Sequence, residues 1–229
     1  MATKKFALLP TDDADRVTIG IKRAARLPGA AKATRHRVPT PWGVATLLVD
    51  GENLIALDPP DRVFAQSTKK KGARRSLGLQ IEGGGTDDLS KLPANVRTFA
   101  ENLAAYLEGN TVELASKEEI SRWLDAADVG GFRKLASLML LEVTRGTTVS
   151  YGDLADMAGR PRASRAVGTA CARNPLPLVV PCHRVVPASG ELGSYGFHGP
   201  TYKRALLELE GWKGNPVAAP KAAPPRNYR

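Results

Sequence analysis

Cysteine and long hydrophobic runs are both scarce in this sequence. Among 229 residues there are two cysteines, Cys171 and Cys182, and three histidines. Small secreted domains built on disulfides carry more cysteines, and this spacing fits no zinc finger, so we expect no disulfide framework and no bound metal. One disulfide between the two cysteines stays open on spacing alone. No apolar run approaches the roughly 18 residues of a membrane helix.

The N-terminus is basic but lacks the apolar segment of a secretory signal. We therefore predict an intracellular, cytoplasmic protein (nuclear in a eukaryote) with no membrane partner. Acidic residues are also few, because 33 Lys and Arg outnumber 23 Asp and Glu and give a net charge of +10. The excess favours a polyanionic partner without choosing among DNA, RNA and membrane surfaces, and it could simply keep the chain in solution. From Ser150 onward the net charge is +6, from eleven basic and five acidic residues.

The chain divides into four segments by composition. We predict a basic flexible arm without periodicity, an α/β domain with a small antiparallel sheet, a mainly helical winged-helix-like domain with a helix-turn-helix, and a disordered tail. The tail is rich in Pro and Ala and cannot bury a core. No heptad or other dimerisation segment is visible, so we expect a monomer. The segments cover residues 1–36, 37–128, 129–212 and 213–229, and the transition between the two domains is placed near residues 115–130.

Local patterns predict the elements of the α/β domain. Residues 46–49 and 53–56 are β-prone and flank Asp50-Gly51, a strong hairpin signal. Apolar residues from Val96 to Leu107 fall on one face of a helix predicted over 94–107.

The helical domain begins with an amphipathic pattern from Phe132 that predicts a helix ending at Gly146. The sequence Ser150-Tyr151-Gly152-Asp153 has the form of a capping box and predicts a short helix to Met157. A Gly-Arg-Pro break separates it from a helix predicted over about 162–173, and a last helix is predicted over about 201–210. Two short helices joined by a tight turn are typical of a helix-turn-helix, although many helical hairpins bind nothing.

An apolar run ends in Pro181-Cys182-His183-Arg184. A thiolate is the reactive form of cysteine, so a nucleophilic cysteine needs a nearby base or positive charge. His183 and Arg184 could supply both. Adjacent side chains usually point apart, so contact between Cys182 and His183 needs a turn, which Pro181 favours, or a bridging water. A buried structural cysteine beside a surface His-Arg pair is the alternative, and adjacency alone does not decide.

The segment from Pro181 to Val186 resembles the active-site signature of the O6-alkylguanine–DNA alkyltransferases. Three other motifs occur in the family's order: the two halves of its helix-turn-helix, its hinge asparagine with the following proline, and its lid loop. The resemblance extends from Phe132 to Gly211, and the first hundred residues match loosely. These three motifs are Ser150–Ala155 with Arg165–Ala170, Asn174-Pro175, and Gly193–Tyr195.

The resemblance implies a role for each matching residue. Cys182 is the alkyl acceptor, His183 the base that deprotonates it through a water, and Glu210 the group that orients the histidine. Asn174 braces the turn that holds the cysteine, and Tyr151 donates a proton so that guanine leaves neutral. Without the resemblance, Glu210 is a solvated helix-end carboxylate, Asn174 a helix-terminal residue and Tyr151 a packing aromatic.

The implied partner is double-stranded DNA carrying O6-alkylguanine, with O4-alkylthymine as a second lesion. Arg165 matches the finger that replaces an extruded base. The reaction is irreversible and stoichiometric, and it needs no cofactor. The other implied DNA-binding residues are Ser150, Ala166 and Gly168, and the base-pocket residues are Val185, Pro177, Tyr195 and Gly196.

Two departures and two alternatives accompany the resemblance. Gly196 stands where the family often has serine, and Thr144-Arg145-Gly146 replaces a turn that commonly contains proline. One alternative is a relative that binds alkyl lesions without transferring them, and Cys182 argues against it because that class has another residue there. The other is a helix-turn-helix regulator with a structural or redox cysteine, which would need a dimerisation segment.

Overall fold

The computed structural model describes residues 32–60 and 88–214. The first range forms a three-stranded antiparallel sheet in the order β1-β2-β3, with β1 at Thr34–Thr40, β2 at Gly43–Asp50 and β3 at Asn53–Asp58. The predicted hairpin is confirmed: Asp50 pairs with Asn53 and Gly51 has a φ of +55°. A side chain other than glycine rarely adopts that conformation.

Strand β1 begins inside the segment predicted as a flexible arm, so that prediction is wrong for Thr34–His36. His36 and Val38 alternate with more exposed neighbours and are 3% and 1% exposed, which is the period-two pattern of a half-buried strand. The rest of the predicted arm, residues 1–31, and nearly all of the tail, residues 215–229, lie outside the described residues.

Two helices cover the sheet half of the chain. Helix α1, Ala94–Leu107, has the predicted bounds. Helix α2, Lys117–Ala126, lies where we placed only a domain boundary. A capping box between Ser116 and Glu119 starts α2, and its Trp123 is completely buried against β3 and against Phe99 of α1, at a ring-centre distance of 5.6 Å.

Helix α3, Gly131–Leu140, ends six residues before the predicted Gly146. Val143 and Thr144 are β-branched and favour helix weakly, and the Val143 carbonyl accepts a hydrogen bond from Arg184 instead of a helical partner. The backbone then turns at Gly146, whose φ is +75°.

Three further helices complete the chain: α4 at Tyr151–Met157, α5 at Ser164–Ala172 and α6 at Gly199–Leu209. They agree with the predicted helices to within two residues at most ends. Strands β4, Val149–Ser150, and β5, Val185–Val186, pair in parallel. This pairing brings the start of α4 beside the short 3₁₀ turn Cys182–Arg184.

A single hydrophobic cluster runs from the sheet through α1 and α2 into the helices around Cys182. The backbone amide of Leu57 in β3 also donates to the carbonyl of Pro175, at 2.9 Å. The sheet therefore supports the loop that precedes Cys182. Within residues 32–60 and 88–214, no helix is long and apolar enough to cross a membrane.

Candidate active site

Cys182 lies at the start of the 3₁₀ turn, directly after Pro181, and is 5% exposed. Its amide donates to the carbonyl of Val180 at 2.7 Å, which closes a tight turn before the cysteine. Leu178, just upstream, has a φ of +71°, a rare conformation for a leucine. The chain between α5 and the cysteine is thus bent rather than strand-like, and it carries the thiol to the inner side of the turn.

Asn174 holds that bend. Its side-chain amide donates to the Val180 carbonyl at 2.9 Å and to Cys182 Sγ at 3.2 Å, and its Oδ1 accepts from the amide of Leu176 at 3.0 Å. At 5% exposure, Asn174 satisfies buried backbone groups that would otherwise be unpaired. The same amide also offers a hydrogen bond to a negative sulfur.

His183 points to Glu210 at the end of α6. Nε2 of His183 lies 3.0 Å from Glu210 Oε1, and both side chains are fully buried. An ionised carboxylate can only accept, so Nε2 carries the proton and Nδ1 has the free lone pair. Nδ1 is buried and has no hydrogen-bond partner among the described residues. The imidazole is therefore arranged as a proton acceptor at Nδ1.

Glu210 is held by three other groups. Arg184 donates to it in a bidentate manner, from Nε to Oε2 at 3.0 Å and from Nη2 to Oε1 at 2.7 Å. The Tyr106 hydroxyl donates to Oε1 at 2.7 Å, and the amide of Gly146 donates to Oε2 at 3.4 Å. Arg184 therefore neutralises Glu210 and does not act on the thiol, contrary to one of its roles suggested by the sequence.

Gly146 approaches the end of α6 closely. A Cβ built at this position would lie 2.7 Å from the carbonyl oxygen of Glu210, closer than real contacts allow. Together with the positive φ, this contact requires glycine at position 146.

The protonation states follow from burial and from these contacts. Burial alone would raise the pKa of Glu210, but His183 and Arg184 outweigh it and hold that pKa well below its ordinary value. Burial lowers the pKa of His183 despite the opposing effect of Glu210. The pair is therefore a charged carboxylate with a neutral imidazole.

Burial also raises the pKa of the Cys182 thiol, although hydrogen bonds from Asn174 and Tyr195 act in the other direction. The resting thiol is protonated, so it needs a base before it can act as a nucleophile. Both cysteines are free, so no disulfide joins them.

Cys182 faces a cavity of about 260 Å³, here called the front cavity. It lies between α5, the loop around Asn174 and the loop at 194–197. The residues that line it are Tyr151, Gly168, Cys171, Ala172, Arg173, Asn174, Pro175, Cys182, Ser194, Tyr195, Gly196 and Phe197.

Two of the four predicted pocket residues line the front cavity. Tyr195, with its hydroxyl 4.0 Å from Cys182 Sγ, and Gly196 are on its wall. Val185 and Pro177 are buried elsewhere: Val185 pairs with Val149 between β5 and β4, and Pro177 forms a bridge with Val180.

The predicted DNA-binding residues differ in exposure. Arg165 and Ala166 are exposed on α5, and Gly168 is partly exposed next to the front cavity. Ser150 is 6% exposed, accepts from the amide of Asp153 and donates to Asp153 Oδ2 at 2.6 Å. Its hydroxyl is occupied as a helix cap, so its predicted contact with DNA is not supported.

Two residues near the site were missed from the sequence. Tyr106 lay on the apolar face predicted for α1, and nothing marked it as a partner of Glu210. Lys203 is 1% exposed and donates from Nζ to the carbonyls of Val185 and Leu192, at 2.6 and 2.5 Å. It stands three and four residues before Leu206 and Leu207, and that apolar spacing was a usable signal of burial.

The fold and the site define a protein in which a buried cysteine, a neutral histidine and a charged glutamate are arranged for nucleophilic chemistry below a cavity. Comparison with known proteins agrees with this class. The family described as 6-O-methylguanine DNA methyltransferase, DNA binding domain, matches residues 131–212. In curated proteins, a methylated-DNA–protein-cysteine methyltransferase from Mycobacterium leprae is 43% identical over 122 residues, which is 52% of this chain and 68% of the relative.

The counterpart from Mycobacterium tuberculosis H37Rv is 44% identical over 110 residues, or 48% of this chain; the match spans 62% of the relative's length. Among solved structures, Mycobacterium tuberculosis OGT in complex with DNA has a TM-score of 0.55 at 30% identity and covers 78% of this chain and 93% of that one. The chain belongs to the methylated-DNA–protein-cysteine methyltransferase family.

Proposed function

We propose that the chain repairs DNA by moving an alkyl group from O6 of guanine onto its own Cys182. One observation carries this proposal: a buried thiol borders a cavity while the next residue, His183, is fixed by Glu210 with Nδ1 left as an acceptor. Membership of the methylated-DNA–protein-cysteine methyltransferase family supports the same reaction. O4-alkylthymine is the second substrate we propose.

The first step is deprotonation of the thiol. The proton of Cys182 passes through a water to Nδ1 of His183, and Glu210 stabilises the imidazolium that forms. Glu210 is already charged and bound by Arg184, so it does not need to take up the proton itself. Asn174 donates to the sulfur and stabilises the thiolate while it exists.

The second step is an in-line displacement. The thiolate electron pair forms a bond to the alkyl carbon as the bond between that carbon and O6 breaks, and its electrons stay on guanine. Burial raises the pKa of Tyr151, so its phenol is protonated at neutral pH and can donate to the leaving guanine. The imidazolium proton finally restores the phenol. The thioether is stable, so each molecule acts once and needs no cofactor.

The lesion must leave the base stack to reach a thiol that is 5% exposed. We propose that α4 and α5 act as a helix-turn-helix within a winged-helix-like domain, with α5 against the DNA. Arg165 then fills the space of the extruded base, while Ala166 and Gly168 let the backbone approach closely. The protein acts as a monomer in the compartment that holds the DNA, the cytoplasm or, in a eukaryote, the nucleus.

Intact-protein mass spectrometry tests the transfer directly. After incubation with a duplex containing one O6-methylguanine, we expect about 14 Da to be added, on the peptide with Cys182, in a one-to-one ratio with lesions lost. Cys182→Ala is the matched control and should bind the duplex without gaining mass. An unmodified peptide with the lesion intact would contradict the proposal.

The role of Arg165 needs a separate comparison. Arg165→Ala should slow repair of the duplex far more than reaction with free O6-methylguanine base, because the free base requires no extrusion. Arg204→Ala, which removes an exposed arginine from α6, serves as the control. Equal slowing with both substrates would remove the proposed finger.

A further inference from the structure

A second, smaller cavity adjoins the same cysteine. Its volume is about 10 Å³, which is the space of one group the size of a water molecule. It shares Cys171, Asn174 and Cys182 with the front cavity and otherwise has different walls. We call it the rear cavity. Cys182 thus stands between two spaces, and the mechanism above uses only the front one.

One part of the rear-cavity wall is made of small side chains. Ala136 and Ser137 of α3 and Ala170 of α5 line it, and these two helices pack against each other. Protein interiors are close-packed, and an open space beside three small residues is uncommon. The bulkier apolar residues Leu140, Leu154 and Val180 also line it.

Ser137 gives the rear cavity a polar feature. The residue is 7% exposed and lines the rear cavity. A hydroxyl can both donate and accept a hydrogen bond, so Ser137 is the group in this wall that can bind a polar end of a ligand.

Transfer creates a need for space at this point. Cys182 gains the whole alkyl group, and its side chain is already 95% buried. Added atoms in a packed interior force neighbours apart unless a cavity receives them. In the in-line displacement the rest of the alkyl chain projects sideways from the line that joins sulfur, carbon and O6, and the rear cavity is an open space in the walls around Cys182 on that path.

From these observations, which rest on the proposed transfer to Cys182, we propose that the rear cavity is the subsite for the end of the transferred alkyl chain, and that Ser137 selects chains that end in a hydroxyl. The alkyl class that fits is 2-hydroxyethyl. A propyl group has the same number of heavy atoms but cannot form a hydrogen bond with the Ser137 hydroxyl.

The test measures single-turnover transfer from three duplexes that differ only in the O6 substituent: methyl, propyl and 2-hydroxyethyl. The natural protein should react about threefold to tenfold faster with 2-hydroxyethyl than with propyl, the range expected for one net hydrogen bond. Ser137→Ala keeps the space and removes the hydroxyl, so it should abolish this preference and leave the methyl rate unchanged.

Ser137→Leu removes the space. It should slow both longer substrates by about tenfold or more relative to methyl, as a misfit of one or two methylenes does in an apolar pocket. If this variant does not fold, Ala136→Val narrows the same cavity from the neighbouring position and should show the same selective loss.

Two results would overturn the rear-cavity assignment: equal slowing of all three substrates by the filling variants, or a 2-hydroxyethyl preference that survives in Ser137→Ala. Either result can occur while the natural protein transfers methyl groups normally, and the proposed function would then remain intact. Absence of methyl transfer by the natural protein would instead contradict the proposed function, and the assignment with it.

Discussion

The sheet half and the helical half of the molecule bury different kinds of side chain. Of nine buried polar or charged residues in the described ranges, His36 and Asp58 belong to the sheet, and the other seven lie at or beyond residue 137. The sheet, α1 and α2 bury almost only apolar groups. The helical half buries its carboxylate and imidazole, Glu210 and His183, as a hydrogen-bonded pair, and it also buries an ammonium and the reactive thiol.

The difference separates what stabilises the fold from what carries the chemistry. Burial of apolar side chains stabilises the folded state and does not require strict contact geometry. Each buried polar group, in contrast, needs hydrogen-bond partners at defined distances. Tyr106 connects the sheet half directly to the buried charges, because it belongs to α1 and donates to Glu210. The sheet half therefore supports the site mainly as a scaffold, so substitutions there should change stability more than transfer.

Glu210→Gln should have the largest effect because it acts on both stability and chemistry. His183 loses the charge that stabilises its imidazolium, so single-turnover methyl transfer should fall about 100-fold or more. Arg184 would be left without its counter-charge, at a cost of about 3–5 kcal/mol in the free energy of unfolding. Urea denaturation and transfer kinetics measure the two effects.

Glu208→Gln is the matched control, since Glu208 is exposed and lies 4.0 Å from Arg204 on the same helix. It should leave stability and transfer unchanged. A normal transfer rate in Glu210→Gln would show that the helical half does not depend on its buried charge.

Trp123→Ala tests the sheet half. Loss of a fully buried indole should lower the free energy of unfolding by about 3–5 kcal/mol. The transfer rate per folded molecule should not change, because the hydrogen bond of Trp123 to the Glu52 carbonyl and its ring contact with Phe99 both lie in the sheet half. Denaturation gives the stability, and kinetics normalised to the folded fraction give the rate; a large fall in that rate would break the proposed division.

Lys203 predicts a pH dependence of stability. Burial lowers its pKa from 10.5 to about 8. Between those pH values the folded state has lost the proton while the unfolded state keeps it, so the free energy of unfolding should rise with pH, by up to about 3 kcal/mol. In Lys203→Met this rise should disappear.

The measurement is urea denaturation of both proteins from pH 7 to pH 11, taken as a difference so that other titrating groups cancel. Lys213→Met, which removes an exposed lysine, should keep the full rise. An identical pH profile for Lys203→Met and the natural protein would contradict the predicted shift.

The smallest effects come from two helix caps, one in each half. Ser116→Ala and Ser150→Ala should each lower the free energy of unfolding by about 1 kcal/mol. Only Ser150→Ala should also slow transfer, because it loosens the turn that positions Tyr151. Ser189→Ala, at an exposed position, is the control. Equal transfer rates for the two cap variants would weaken the distinction between the halves.

Local patterns predicted the elements whose signals are short-range. Helix α1 and the hairpin follow from apolar spacing and from Asp50-Gly51. Helix α2 was missed although Ser116 and Glu119 have the spacing of a capping box, because we interpreted the segment as a boundary. The early start of β1 and the early end of α3 depend on tertiary pairing, which local periodicity does not contain.

The site was predictable only in part for the same reason. Resemblance identified Cys182, His183, Glu210 and Asn174, and the structure brings these four together. The partners of Glu210 come from distant parts of the chain, since Tyr106 is 104 residues away. From the sequence, Arg184 could have supplied a positive charge to the thiol, and only the folded geometry shows that it binds the carboxylate.

The contact at Gly146 has a consequence for how such a chain can change in evolution. One added methyl group there would collide with the last turn of α6 and displace the carboxylate from the imidazole. A substitution 36 residues before Cys182 could therefore silence repair while leaving every reacting side chain in the sequence. Scanning genomes for the cysteine motif alone would count such a protein as competent, so position 146 belongs in any criterion for an intact enzyme.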